Sequence, residues 1–148
     1  MRLSAKGRYA LASTIYMARN YNRDEYITLI SISEKLNISK IYLEQVFSLL
    51  KRGGIVNSIK GSQGGYQLSN APEKITAYDI LSSVETTLFE NAEETIKEQA
   101  PDIEEAVKTL IYDPLDLTVK KFLSNISLAD LVAEADKMNG ESALMYFI

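Results

Sequence analysis

Ser31-Ile-Ser-Glu-Lys-Leu36, Asn37-Ile-Ser39, Lys40-Ile-Tyr-Leu-Glu-Gln-Val-Phe-Ser-Leu-Leu-Lys-Arg52 and Gly53-Gly54 run directly into Ile55–Ile59, Lys60-Gly-Ser-Gln-Gly-Gly65 and Tyr66-Gln-Leu68. The signals come in the order helix, tight turn, helix, hairpin. Ser31 and Glu34 have the S-x-x-E spacing of a capping box, and Ser39 stands where it can cap a second helix. Leu43, Val46, Phe47 and Leu50 recur at i, i+3, i+4, i+7 and predict one buried face. The other face, from Lys40 onward, carries Ile41, Glu44, Gln45, Ser48 and Arg52. Gly53 and Gly54 end the helix, because glycine takes the left-handed conformation without strain. The glycine-rich loop after Lys60 reads as a hairpin turn. A helix-turn-helix with a hairpin attached is a winged helix, and its second helix fits a DNA major groove. The expected fold class is mostly α with a small antiparallel wing, an α+β chain.

Upstream, Met1-Arg-Leu-Ser-Ala-Lys-Gly-Arg-Tyr9 carries Arg2, Lys6 and Arg8 ahead of a helix expected over residues 10–21. Such cations at a helix start suit phosphate contact, through side-chain charge and free amides together. The alternative is a solvated basic terminus. Tyr26–Ile30 reads as a short β-like run that could add a third strand to the wing.

Downstream, Thr76 and Asp79 form another capping box, ahead of an apolar face of Ile80, Leu81, Val84 and Leu88. Residues 90–99 are acidic and predict an exposed helix or a linker. Asp102 is placed to cap a helix carrying Ile103, Ala106, Val107, Leu110 and Ile111. Asp113-Pro114 reads as a cap followed by a first-turn proline. The helix it would begin carries Leu115, Val119, Phe122 and Ile126 and is a candidate dimerisation element. Two-fold dimers read half-sites lying about 34 Å apart; the alternative is that the stripe packs on its own subunit. Ser127 and Asp130 cap a last helix, which Gly140 is expected to break. The resulting division is a winged helix-turn-helix DNA-binding domain at 1–72, a helical linker and dimerisation region at 73–138, and a tail at 139–148.

Charge sharpens this division. The net charge is −4 overall, yet residues 1–70 hold ten Lys/Arg against four Asp/Glu, and residues 71–148 hold six against sixteen. The first half suits a polyanion and the second does not. The 148 residues include neither cysteine nor histidine, which excludes disulfides, thiolate clusters and histidine-based catalysis. With no long apolar run and no signal-like start, a cytoplasmic protein without membrane contact is expected. Glu93, Glu94, Glu98, Glu104 and Glu105 read as a solvated acidic face, and the glycine loop lacks the following helix and Lys-Ser/Thr pair of a phosphate loop. No enzyme activity is expected.

Met1-Arg-Leu-Ser-Ala-Lys-Gly-Arg-Tyr-Ala10, Tyr42-Leu-Glu-Gln45, Gly61-Ser-Gln-Gly-Gly-Tyr66 and Ile126-Ser-Leu-Ala-Asp-Leu131 resemble, in order, the signature blocks of the Rrf2 family of bacterial transcription regulators. The resemblance implies a homodimer on double-stranded DNA. It puts Ile41, Glu44 and Gln45 at base edges in the major groove and Lys60 and Gln63 in the adjacent minor groove. Those side chains suit the roles: a carboxylate accepts from cytosine N4, glutamine pairs with adenine, and a lysine is drawn to a narrow minor groove. Many members carry an iron–sulfur cluster on three cysteines, and the equivalent stretch here, about 89–113, has none, so no cofactor is expected. The chain is similar to the cluster-free branch, repressors of cysteine metabolism controlled by O-acetylserine thiol-lyase (cysteine synthase). The similarity extends to the tail, where Tyr146, Phe147 and Ile148 would offer a terminal carboxylate to the amino-acid pocket of that enzyme. The alternatives are a tail docked on its own dimer, and a family member that senses a small molecule without a cluster.

Overall fold

The computed structural model describes residues 2–22, 24–61 and 64–146. In chain order the elements are α1 (Ala5–Arg19), α2 (Leu29–Leu36), α3 (Lys40–Arg52), β1 (Val56–Ile59), β2 (Gly65–Leu68), a 3-10 turn (Pro72–Lys74), α4 (Ala77–Val84), α5 (Pro101–Val107), a π turn (Lys108–Tyr112), α6 (Asp113–Ser124) and α7 (Leu128–Tyr146). The chain is mostly helical with one two-stranded antiparallel sheet, in the register Val56 to Leu68 and Ile59 to Gly65.

One core joins the first four helices and the wing. Leu43, Val46, Phe47 and Leu50 on α3 are fully buried, and they pack in one cluster with Ala10, Met17, Ile32, Val56, Leu68, Ile80, Val84 and Leu128. The i, i+3, i+4, i+7 reading of α3 therefore holds. Its end is a Schellman motif: Ile55 N–H donates to Leu50 O at 2.9 Å and Gly54 N–H to Lys51 O at 3.1 Å. Gly54 takes φ +77° to make this possible, a conformation that glycine adopts without Cβ cost.

Three predicted caps stand. Ser39 Oγ accepts from Tyr42 N–H at 3.5 Å. Thr76 and Asp79 form a reciprocal box at 2.9 and 3.1 Å. Ser127 and Asp130 form another at 2.9 and 3.0 Å.

Other expectations are corrected. α1 begins at Ala5 rather than residue 10, capped by Ser4. α2 is capped by Thr28, not by Ser31 with Glu34; Ser31 lies inside the helix and its N–H donates to Thr28 Oγ1 at 3.2 Å. The expected third strand at Tyr26–Ile30 shrinks to a single bridge, Ile27 to Tyr66, with α2 starting at Leu29. Leu88 is half-buried but lies past the end of α4. Of the two readings of residues 90–99, the linker holds, since the stretch has bends and turns but no helix. Ala100, not Asp102, is the cap residue of α5, with Pro101 in the first turn.

Asp113-Pro114 does not start a helix. Val107, Lys108, Tyr112 and Asp113 all keep right-handed helical angles, so the helix runs continuously from Pro101 to Ser124. Proline has no N–H for the i→i−4 bond, and its ring crowds the preceding turn. The chain widens there instead, with Asp113 N–H donating five residues back to Lys108 O, the geometry of a π turn. Ile126 falls beyond α6. Gly140 does not break α7, which continues to Tyr146.

Two backbone hydrogen bonds and an ion pair help fix the C-terminal helices to the rest of the chain. Ala77 N–H donates to Ile126 O at 2.8 Å and Leu128 N–H to Ile75 O at 2.7 Å. Arg19 Nε pairs with Asp136 Oδ1 at 3.1 Å, linking α1 to α7. Among the described residues no helix is long and apolar enough to cross a membrane.

Candidate nucleic-acid interface

The turn between α2 and α3 is built by short-range bonds. Asn37 takes φ 53° and ends α2. Ile38 N–H donates to Ser33 O at 3.2 Å, while Ser33 Oγ donates back to Ile38 O at 2.6 Å. Ile38 is buried, so the turn is pinned from both sides. With the inner face of α3 locked in the core, its outer face has one fixed orientation. Lys40, Ile41, Glu44, Gln45, Ser48 and Arg52 are all exposed along it.

Two details of that face bear on base reading. Ile41 is 71% exposed, an apolar side chain in water at the first turn, the kind of group that can meet a thymine methyl. Lys40 Nζ lies 3.7 Å from Glu44 Oε1, with both side chains about half exposed. An exposed i, i+4 pair of this kind holds loosely, at up to ~1 kcal/mol, so both groups stay available to DNA.

α1 enters beside the start of α3 through an edge-to-face contact of Tyr9 and Tyr42, centroids 5.1 Å apart. This sets the early turns of α1 beside the start of the recognition helix. Arg2 and Arg8 are exposed there and Lys6 is half-buried. The wing is anchored by Phe47 against Tyr66, centroids 4.9 Å apart, and by paired bonds of 2.8 Å between Ile27 and Tyr66. Lys60 is exposed at its tip; Gln63 lies outside the described residues. Gly65 passes close to Tyr26 and Ile27 with φ +150°, which lets the wing strand reach the bridge at Ile27.

Sequence reading missed the contact that seats the basic N-terminus. Glu85, at the end of α4, is 8% exposed. Its Oε1 accepts from Ser4 N–H and from Ser4 Oγ–H, both at 2.8 Å. The pair is 81 residues apart in sequence, and a lone glutamate after an apolar run gives no local signal of it.

The C-terminal half offers different surfaces. α6 buries none of its residues. Leu110 is 74% and Phe122 65% exposed, and Ile111, Leu115 and Leu117 are exposed beside them, while Val119 is half-buried. A cavity of about 350 Å³ opens between α4 and α6, lined by Tyr78, Leu88, Phe89, Leu115, Val119 and Lys120. Tyr78 and Phe89 meet edge to face there at 5.2 Å, with Lys120 Nζ 5.4 Å above the Tyr78 ring. A second cavity of about 440 Å³ is lined by acidic residues, including Glu94 and Glu104. The hydrogen bond from Lys97 holds the Glu94 carboxyl below its ordinary value and raises Lys97 in turn. Glu104 is buried and accepts from Ile96 N–H at 3.1 Å. Residues 89–113 contain no thiol and no imidazole. Among the described residues no three His, Cys, Asp or Glu side chains converge as a metal would need. This donor set does not fit an iron–sulfur cluster, which takes cysteine thiolates.

Tyr146 is the last residue of α7; Phe147 and Ile148 lie outside the described residues.

Comparison with known proteins agrees with this geometry. Residues 3–134 match the Rrf2 family, described as an iron-dependent transcriptional regulator. The regulator CymR of Bacillus subtilis is 34% identical over 148 residues, covering 100% of both chains. The regulator IscR of Erwinia tasmaniensis is 34% identical over 132 residues, covering 89% of this chain and 79% of that protein. The solved structure of CymR, the global cysteine regulator of B. subtilis, superposes with a TM-score of 0.70 at 33% identity, covering 90% of this chain and 98% of the other. These relatives are transcriptional regulators, not enzymes, and the chain belongs with them: it is a winged-helix, DNA-binding transcriptional regulator of the Rrf2 family.

Proposed function

We propose that the chain is a homodimeric repressor of cysteine and sulfur metabolism genes, acting in the cytoplasm and controlled by complex formation with O-acetylserine thiol-lyase (cysteine synthase). The observation that carries this reading is the likeness to CymR along the full length of both chains, joined to a cysteine-free 89–113 stretch that leaves a partner or a small molecule as the signal. Residues 1–72 supply the DNA-binding region, 73–138 the linking and dimerisation helices, and 139–148 the tail. Arg2, Lys6, Arg8 and Arg52 meet phosphates. Lys40, Ile41, Glu44, Gln45 and Ser48 face the major groove, and Lys60 and Gln63 the minor groove. The exposed Leu115 and Phe122, with half-buried Val119 between them and half-buried Ile126 just past the helix, support pairing of two copies, since an apolar patch of this kind marks an interaction surface. Tyr146, Phe147 and Ile148 present the terminal carboxylate to the enzyme.

The test is a titration of the thiol-lyase with the full chain and with a chain lacking Ile148, followed by pyridoxal phosphate absorbance. Binding by the full chain alone supports the reading, and binding by neither chain overturns the partner.

A second reading, a family member gated by a small-molecule effector, is favoured by the cavity of about 350 Å³ between α4 and α6. Its mostly apolar lining, with Asn91, Asp116 and Lys120 as polar groups, is the usual make-up of a small-ligand site.

A further inference from the structure

We propose that Glu85 is a positioning residue for DNA binding: its carboxylate latches the start of α1 and sets where Arg2, Lys6 and Arg8 stand relative to α3. The inference rests on the reading that these three cations meet phosphate.

The geometry is specific to an acceptor. Ser4 Oγ accepts from Gly7 N–H at 3.2 Å as the cap of α1, and the same hydroxyl donates to Glu85 Oε1 at 2.8 Å. Ser4 N–H donates to that oxygen too, at 2.8 Å. One carboxylate oxygen therefore fixes both the backbone and the side chain of the residue lying between Arg2 and Lys6. It sits at the positive end of the α1 dipole, where a negative charge is favoured.

Room for the carboxylate is made by Gly7, which is buried. A Cβ at residue 7 would overlap Glu85 Oε1 and crowd Leu81 at 3.3 Å. No ion pair involving Glu85 occurs among the described residues. A buried carboxylate without a cation is costly unless hydrogen bonds satisfy it, and an apolar side chain would pack α4 on α1 more cheaply. The position thus serves the bonds to Ser4 more than it serves packing.

α4 also touches the recognition helix at close range: a Cβ at Gly53, just past α3, would overlap Ser83. One short helix is the common reference for the basic arm and for α3; Leu81 packs beside Gly7, and Glu85 adds the hydrogen bonds that attach it to Ser4.

The experiment measures the salt dependence of full-chain binding to a random-sequence duplex, with stability by urea in parallel. Each phosphate that a variant no longer neutralises lowers the slope of log affinity against log salt by about 0.9. Glu85→Gln keeps the acceptor oxygen and should leave the slope as in the parent. Glu85→Ala should lower it by about 1–3, up to the contribution of three arm cations, with weaker binding at low salt. Gly7→Ala, which evicts the carboxylate, should do the same and add nothing in the Glu85→Ala background. Should Glu85→Ala fail to fold, Ser4→Ala, which removes one of the two bonds, carries the same slope test. An unchanged slope in the Glu85 or Ser4 alanine variants, alongside a lowered slope for Arg2→Ala/Lys6→Ala/Arg8→Ala, overturns the latch alone. An unchanged slope in the triple variant overturns the phosphate reading of the arm and the latch with it.

Discussion

α3 and α6 have the same kind of sequence and opposite fates. Both are amphipathic segments of similar length, α3 a helix of 13 residues and α6 the last 12 residues of the longer helix that begins at Pro101. The stripe of α3 is wholly buried against its own chain, while α6 buries no residue. The N-terminal half is mostly closed: the inner faces of its helices find partners in α1, α2, α4 and the wing, and its outer face is left largely polar, with Ile41 an exposed apolar exception. The C-terminal half is open, with acidic charge in its loop and apolar side chains facing out of the monomer. The hydrophobic repeat shows that a helix has a face to cover. It does not say whether the cover comes from the same molecule.

That contrast can be broken by mutation, most severely in the closed half. Phe47→Ala removes a fully buried ring and should cost about 3–5 kcal/mol of stability, read from urea unfolding. A drop under about 1 kcal/mol, the ordinary size for a point substitution, would mean that the core around α3 is loosely packed and that the two halves differ less than the burial implies.

Glu44→Ala comes next. The side chain is exposed, so folding should be nearly unaffected, while base discrimination at one operator position should fall by about 1–3 kcal/mol in a binding-site selection. Unchanged preference would remove Glu44 from the groove and shift base reading toward Ile41 and Gln45.

Phe122→Lys should have the smallest effect on the single chain, within about 0.5 kcal/mol, as for other exposed positions. Its effect should instead appear in sedimentation, as a shift from dimer to monomer at a given concentration. If the variant unfolds, the open half has no stable state without its partner, and folding and assembly are a single event in this chain.

How much was legible follows the range of the interactions. The face of α3, the Ser39 cap and the boxes at Thr76–Asp79 and Ser127–Asp130 rest on residues within one or two turns of each other, and all were readable. The α2 start was misplaced because Thr28 and Ser31 are both competent caps. The choice is made by Ile27, whose bonds to Tyr66 hold the chain extended just before Thr28. Gly140 was over-read: one glycine in an exposed helix costs about 1 kcal/mol relative to alanine, and its neighbours carry the helix through it. Glu85 was invisible because its partner Ser4 is a whole domain away in sequence. Of the candidate interface, the α3 face and the basic arm were named from local pattern, while the means of holding the arm in place was not.

The π turn at Lys108–Tyr112 has a consequence for how two molecules could face each other. Such a turn takes in one residue more than an α-turn without adding a revolution, so every side chain beyond it is rotated by about 100° from the direction an unbroken helix would give. Ile103 before the turn and Leu115 and Phe122 after it are exposed, and their angular relation is set by that one added residue. Removing a single residue from the turn would keep the composition, the charge and the helix nearly as they are, yet swing the distal apolar seam by more than a quarter of a circle. The angle at which a second copy would meet α6, and with it the spacing of two recognition helices, would in that sense be a matter of counting residues.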